Sequence, residues 1–238
     1  MPRPPKRHPA PAPQFTKVNL PEVIHQENPA MSKFTEYIGS QFGNPRGFVG
    51  SVCCLIMNTI NKKMYRKTVE LMQQSGIDPA DKILDIGYGN GYFLQQADRK
   101  CGAELYGIDI SADMKTTAER RNRGAKEAGR LHLEIGDCCD LPYEDEMFAA
   151  AASINTVYFW EDTVQGLSEI RRVLKPGASF YNVVYTKEWL DALSYTKKGF
   201  QKFEPEELIE LGKHAGFAEA RVEEIVSGKS FAVIYRKL

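Results

Sequence analysis

From about residue 82 onward the chain alternates short apolar runs with amphipathic stretches. KILDIGYG has the pattern of a strand ending in glycines, and NGYFLQQADRK that of a helix. AELYGIDIS is a second strand, ADMKTTAERRNRGAKEAG a polar amphipathic helix, and LHLEIGD and FAAAASIN are the third and fourth strands. TVQGLSEIRRVLKPG is predicted as a helix stopped by Pro176-Gly177, and ASFYNVVYT as a fifth strand. PEELIELGKHAGF is a helix with Pro205 in its first turn and Gly216 at its end. ARVEEIVS and KSFAVIYRKL are two closing strands joined by a turn at Gly228. Strands alternating with helices predict a parallel sheet covered on both faces. The last two strands have no helix between them, so they are expected to pair antiparallel at one edge.

The first 75 residues follow other patterns. In 31–75, Val49, Val52, Cys53, Ile56, Ile60 and Met64 recur at steps of three or four, which predicts one apolar helix face behind a turn at Asn44-Pro45-Arg46-Gly47. Such a helix packs on the domain, covers its site as a lid, or does both. Residues 1–30 are dense in proline, which fixes φ and removes a hydrogen-bond donor, so a disordered leader upstream of Met31 is expected. The chain thus divides into a leader (1–30), an N-terminal helical cap (31–78) and an α/β domain (79–238).

Composition narrows the class. The 238 residues are 42% hydrophobic and 26% charged, which excludes a wholly disordered, collagen-like or disulfide-scaffold chain. Lys plus Arg equals Asp plus Glu at 31 each, so a chain built mainly to hold nucleic acid is not expected. The five cysteines (Cys53, Cys54, Cys101, Cys138 and Cys139) include two adjacent pairs, and none has the CxxC spacing of a zinc site. They are expected to be free thiols, with no metal bound. No apolar run has the length of a membrane span, and the basic N-terminus leads into prolines, so a cytoplasmic location is expected.

The candidate chemistry gathers at strand ends, where open α/β sheets bind ligands. Asp85-Ile86-Gly87-Tyr88-Gly89-Asn90-Gly91 follows the first strand and opens a helix. Its glycines let the backbone approach a ligand, and the helix presents free N–H groups. A dinucleotide fingerprint would need glycine where Tyr92 stands. Asp85, two residues ahead of the first glycine, suits an ammonium better than a pyrophosphate, which points to an amino-acid-bearing cofactor. Asp109 closes the second strand, where an acid accepts both hydroxyls of a ribose. Asp137 closes the third, where it can accept a purine amine, and Ile154-Asn155-Thr156-Val157-Tyr158 crosses the mouth after the fourth. Each acid alone is a common strand-end cap; together, on successive tips, they exceed capping.

ILDIGYGNG, GIDIS, GDCCDLPYEDEMFAAA and SEIRRVLKPGASF together resemble the class I S-adenosylmethionine-dependent methyltransferases. The likeness is to the small-molecule group with ubiquinone/menaquinone-biosynthesis-type and type 11 enzymes, strongly over 80–186 and loosely over 200–238. Ala178 replaces the second glycine of the family's Lys-Pro-Gly-Gly. The resemblance implies a Rossmann-like seven-stranded, mostly parallel sheet with an antiparallel last strand, helices on both faces and an N-terminal helical cap. It implies S-adenosyl-L-methionine as cofactor and methyl transfer to a small-molecule acceptor by in-line displacement. Asp85 and the backbone of Gly87, Tyr88, Gly89 and Gly91 would hold the methionyl part, and Asp109 the ribose. Ile110 and Met114 would lie against the adenine, Asp137 at its amine with Cys138 beside it. The backbone near Asn155, and Tyr65 from the cap, would close over the methionyl group.

No catalytic triad is expected, because alignment supplies most of the barrier lowering in methyl transfer. Tyr158, Phe159 and Trp160 are the candidate acceptor-pocket residues; Trp189, Tyr195 and Phe200 lie in a second segment expected to shape that pocket. His132 reads as structural. Four other functions compete. Asn155-Thr156-Val157-Tyr158 has the spacing of the Asn-Pro-Pro-Tyr motif of nucleic-acid and protein N-methyltransferases but lacks both prolines. A nucleotide-binding oxidoreductase is opposed by Tyr92, and a non-catalytic binding module by the suitable residue at every matched position. Arsenic methylation is opposed by the place of Cys138-Cys139 at the adenine end.

Overall fold

The computed structural model describes residues 47–238, with side chains from Thr59 onward. The expected leader, the Asn44 turn and the side chains of Val49, Val52, Cys53 and Ile56 lie outside the described residues.

Helix α1 (Gly47–Gln74) buries Asn61, Met64, Thr68 and Met72 on one stripe. Ile60, expected on that stripe, is instead 58% exposed. Met64 stays on the stripe as expected, while Asn61 takes the inward place beside Ile60, where the Tyr185 hydroxyl donates to its Oδ1.

The rest runs β1 (Lys82–Ile86), α2 (Tyr92–Cys101), β2 (Glu104–Asp109), α3 (Ala112–Arg121), α4 (Arg123–Glu127), β3 (Leu131–Ile135), β4 (Phe148–Ile154), α5 (Thr163–Val173), β5 (Leu174–Tyr185), α6 (Lys187–Asp191), α7 (Pro205–His214), β6 (Glu219–Val226) and β7 (Ser230–Arg236). The seven strands lie in the order β3-β2-β1-β4-β5-β7-β6. β1 to β5 pair parallel with one another, and β7 is antiparallel to both β5 and β6. The closing hairpin forms as expected, with its second strand inserted inside the sheet and β6 left at the edge. Met64, Phe93, Leu94 and Ile83 fill the core on one face, and Leu84, Leu167, Ile170 and Leu208 the core on the other, so helices cover both.

Two helix ends differ from the sequence pattern. The long helix predicted after β2 breaks at Asn122, whose backbone leaves the helical region while its side chain donates to the carbonyls of Gly91 and Ala118. The helix predicted to stop at Pro176-Gly177 ends at Val173. Leu174 already pairs with Phe148, and Pro176-Gly177 occupies the irregular stretch before Ser179 pairs with Ala150, a place where proline's missing N–H is tolerated.

Chain order reverses between β1 and β4, and a ligand crevice is expected at the carboxyl ends there. Side chains alternate along β1, so Asp85 shares the α1–α2 face with Ile83, at the end bordering that crevice.

Candidate active site

The turn from β1 into α2 is fixed by its backbone. Gly87 has φ +72 and donates to Ile108 O at 2.7 Å; a Cβ there would lie 2.4 Å from Thr156 Cγ2. Gly91 has φ +73, and a Cβ would lie 2.5 Å from Asn122 Nδ2. No side chain fits at either place, because the turn is pressed between the end of β4 and α3. The carbonyls of Asn90 and Gly91 are held by Arg121 Nε and Asn122 Nδ2, both at 2.9 Å. Gly89 N–H donates to Asp109 Oδ2 at 2.8 Å and Ser111 N–H to Asp109 Oδ1 at 2.9 Å, so the acid at the tip of β2 braces the turn.

Asp85 is 2% exposed, and its Oδ2 has no hydrogen-bond partner. Burial pushes its carboxyl well above the ordinary carboxylate range, and the nearby Asp109 charge pushes the same way. Asp109 is also raised by burial, against which its two backbone N–H donors pull. Asp137 is exposed at the tip of β3, while Cys138 beside it is buried and its thiol is pushed up by that burial.

The β4 side is built differently. Asn155 sits at φ +61, a left-handed conformation that asparagine tolerates better than most residues. Its Oδ1 accepts from the Tyr158 hydroxyl at 3.0 Å, which in turn accepts from Tyr185 N–H at 2.6 Å. Its Nδ2 reaches Met64 Sδ on α1 at 3.7 Å. With the Tyr185–Asn61 bond, these contacts close a polar ring that ties the ends of β4 and β5 to α1. Tyr65 faces Tyr92 across the cleft, ring centroids 5.3 Å apart.

Of the residues singled out by sequence, Tyr65, Asp85, Gly87, Tyr88, Gly89, Asp109, Ile110, Asp137, Cys138, Asn155, Phe159 and Trp160 line one cleft. Gly91, Met114 and Tyr158 do not line it. Gly91 caps α2, Met114 is buried in the core, and Tyr158 is buried in the polar ring. Phe200 packs on Phe159 at 4.7 Å, Trp189 lies under Lys229 at 4.3 Å, and His132 stacks on Tyr106 at 4.5 Å; none of the three lines the cleft. The cleft also takes in Asn61, Asn90, Tyr92, Phe93 and Thr156, which sequence reasoning missed. Asn90 and Tyr92 adjoin the glycines and were within reach of the motif; Asn61 carried no local signal.

A methyltransferase-domain profile matches residues 84–182, from within β1 to within β5. The methyltransferase YdaC of Bacillus subtilis strain 168, itself uncharacterised, is 31% identical over 169 residues, 71% of this chain and 87% of that one. This chain belongs to the class I S-adenosylmethionine-dependent methyltransferases. The methyltransferase is also 26% identical over 150 residues to the ubiquinone/menaquinone biosynthesis C-methyltransferase UbiE of a Geobacter species, covering 62% of this chain and 63% of that one. It spans less than half of some other curated relatives, 40% and 46% in two cases. A solved geranyl diphosphate methyltransferase shares the fold at a TM-score of 0.63 and 13% identity, over 84% of this chain and 94% of that one. Among the described residues, no helix of the methyltransferase is long and apolar enough to cross a membrane.

Proposed function

We propose that the cleft holds S-adenosylmethionine along the tips of β1, β2 and β3 and methylates a neutral or cationic small molecule admitted between α1 and the end of β4. The observation that carries this reading is Asp85: a buried carboxylate oxygen without a partner, at the carboxyl end of a central strand. A buried charge left unpaired is costly, so burial holds the proton on this carboxyl, and a cation is the partner that favours its ionised form. The ammonium of a methionyl group supplies one, and the side-chain-free turn at Gly87 and Gly91 gives its carboxylate a backbone to approach.

In this reading Asp85 orients the amino-acid arm, with the backbone of Gly87, Tyr88 and Gly89. Asp109 holds the ribose hydroxyls and Ile110 faces the adenine, with Asp137 and Cys138 at its far edge. The backbone of Asn155 and the ring of Tyr65 exclude water from the reacting end. When bound, the cofactor supplies a methyl group already activated on a sulfonium. The chain's contribution is alignment and desolvation, which can lower such a barrier by about 7–11 kcal/mol. Phe159 and Trp160 line the acceptor side, α1 serves as the cap over the domain, and no side chain is assigned as a base.

Acceptor charge follows from the lining. The charged groups among the described lining residues are the carboxylates Asp85, Asp109 and Asp137, with no lysine or arginine. In this reading all three face the cofactor, and the acceptor side at Phe159 and Trp160 offers no cation to pair with a polyanion, which favours a small neutral or cationic acceptor over nucleic acid.

Calorimetry with S-adenosylmethionine tests the reading. The wild type should bind, and Asp109→Ala should bind about 1–3 kcal/mol more weakly, because ribose hydroxyls lose a charged acceptor. Equal affinity in a folded variant would overturn the assignment. Incubating the enzyme with isotopically methyl-labelled cofactor and a metabolite extract should place label on a small molecule; label found only on macromolecules would overturn the acceptor class.

A further inference from the structure

We propose that Asp137, Cys138 and Cys139 form a site for a thiophilic divalent cation of the zinc type, and that its occupation excludes the cofactor. The competition rests on the cofactor placement above; the metal site itself does not.

Donor convergence carries the proposal. The carboxylate oxygen of Asp137 and the sulfurs of Cys138 and Cys139 all lie within 4.8 Å of one another. Neighbouring side chains on a strand point to opposite faces and could not converge in this way. Here the chain has left β3 for a tight turn. Asp140 N–H bonds Asp137 O at 3.3 Å, and Cys139 N–H bonds Asp137 Oδ1 at 2.8 Å. The turn thus brings three consecutive donors to one point.

Two neighbours hold the turn in place. Gln165 Nε2 donates to Cys139 O at 3.2 Å, and Cys139 Sγ lies 3.3 Å from Asp162 O. A Cβ on Gly166 would stand only 3.2 Å from Cys138 Sγ, so a glycine there keeps a side chain off that sulfur. Two thiolates with one carboxylate are a soft, three-ligand set that suits a zinc-type ion with its fourth position open.

Ion binding forms two metal–sulfur bonds and one metal–oxygen bond to Asp137, displaces three waters from the hydrated ion, breaks two S–H bonds and sends two protons to solvent, with no change of oxidation state. Ligation requires the thiols as thiolates, so the ion displaces their protons. Asp137 and Cys138 also line the cofactor cleft, at its adenine end in the reading above. An ion held there takes the acceptor the base would use, so ion and cofactor weaken each other's binding by the same factor.

The probe is Cd²⁺ alone, titrated into the metal-free full chain while thiolate-to-metal charge-transfer absorption is followed. The expected result is one equivalent bound, with Cys139→Ser lowering affinity by at least the roughly 10–100-fold that loss of a mere outer-shell partner causes. A band unchanged in folded Cys139→Ser, as judged by circular dichroism, overturns the site. A second measurement needs no variant: saturating S-adenosylmethionine should suppress the wild-type band, and one equivalent of Cd²⁺ should weaken cofactor binding correspondingly. A band indifferent to bound cofactor overturns the exclusion. A wild type that binds Cd²⁺ but no cofactor in the metal-free state overturns the cofactor placement and leaves the metal site standing.

Discussion

The two halves of the cleft are made from different materials. On the β1–β2–β3 side, the parts are backbone: glycines at positive φ, N–H groups bonded to Asp109, carbonyls pinned by Arg121 and Asn122. On the β4–β5 side, side chains from distant segments form the ring of Asn61, Tyr185, Tyr158, Asn155 and Met64. The first arrangement is held by close packing and by hydrogen bonds to its own main chain, and presents main-chain groups to a ligand of fixed shape. The second depends on hydrogen bonds that α1 must dock to complete, so it can change with a few substitutions. One side of the cleft is therefore suited to an invariable cofactor, and the other to an acceptor that differs between enzymes.

The strongest way to break the comparison is to put a side chain into the backbone half. Gly87→Ala adds a left-handed strain of about 1–2 kcal/mol and a Cβ 2.4 Å from Thr156 Cγ2, an overlap of roughly 1–3 kcal/mol. Together about 2–5 kcal/mol of stability should be lost, with cofactor binding abolished. Gly89→Ala is the internal control: its Cβ meets nothing within 4 Å, so only the strain should appear. Equal denaturation midpoints for the two variants would show that the turn is not held against β4.

Next in size is the pH dependence from Asp85. Its folded carboxyl titrates above the unfolded value of about 3.9, so between those two points the folded state holds a proton that the unfolded state has released. Stability of the ligand-free enzyme should therefore fall as pH rises through that window, by up to about 1.4 kcal/mol per pH unit. Asp85→Asn should remove this component from urea melts taken across the window. An ammonium favours the carboxylate, so cofactor affinity should rise with pH over the same range. A slope unchanged in Asp85→Asn would place the titration on another group.

The difference between the halves also decides what could be seen in the sequence. The succession of strands and helices, the glycine turn and the acids at the tips of β1, β2 and β3 are local patterns, readable within a dozen residues. The ring is not: Tyr185 and Asn61 are 124 residues apart, and Asn155 and Met64 are 91 apart. Nothing near Asn61 marks it as buried, and its apolar neighbour Ile60 fits a periodic stripe better. Tyr158 follows a strand tip, where a substrate-facing group is plausible, and only the fold shows its hydroxyl used by Asn155 and Tyr185. Adjacent cysteines conceal their convergence for a different reason, since the turn that joins Cys138 and Cys139 to Asp137 is a property of the backbone path.

Tyr158→Phe tests the ring at its centre. The loss leaves Asn155 Oδ1 without its donor and Tyr185 N–H without its acceptor, both in a buried setting. About 1–2 kcal/mol of stability should disappear. Because the backbone half is untouched, cofactor affinity should move by much less than that.

Tyr185→Phe has the smallest expected effect and sharpens the comparison most. It removes the hydroxyl that donates to Asn61 but keeps the Tyr185 N–H bond to Tyr158, so one of the ring's two links to α1 is cut and the Asn155–Met64 contact stays. A neutral, partly buried hydrogen bond contributes about 0.5–1.5 kcal/mol. Asn61 lines the cleft, so its freed amide should bring α1 closer to solvent exchange without changing the sheet. Amide hydrogen exchange should therefore quicken in the second half of α1 while β1 and β2 keep their protection. Uniform quickening across the sheet would mean that Tyr185 supports the whole core, and the two halves would then be one cooperative unit rather than a fixed frame with an adjustable wall.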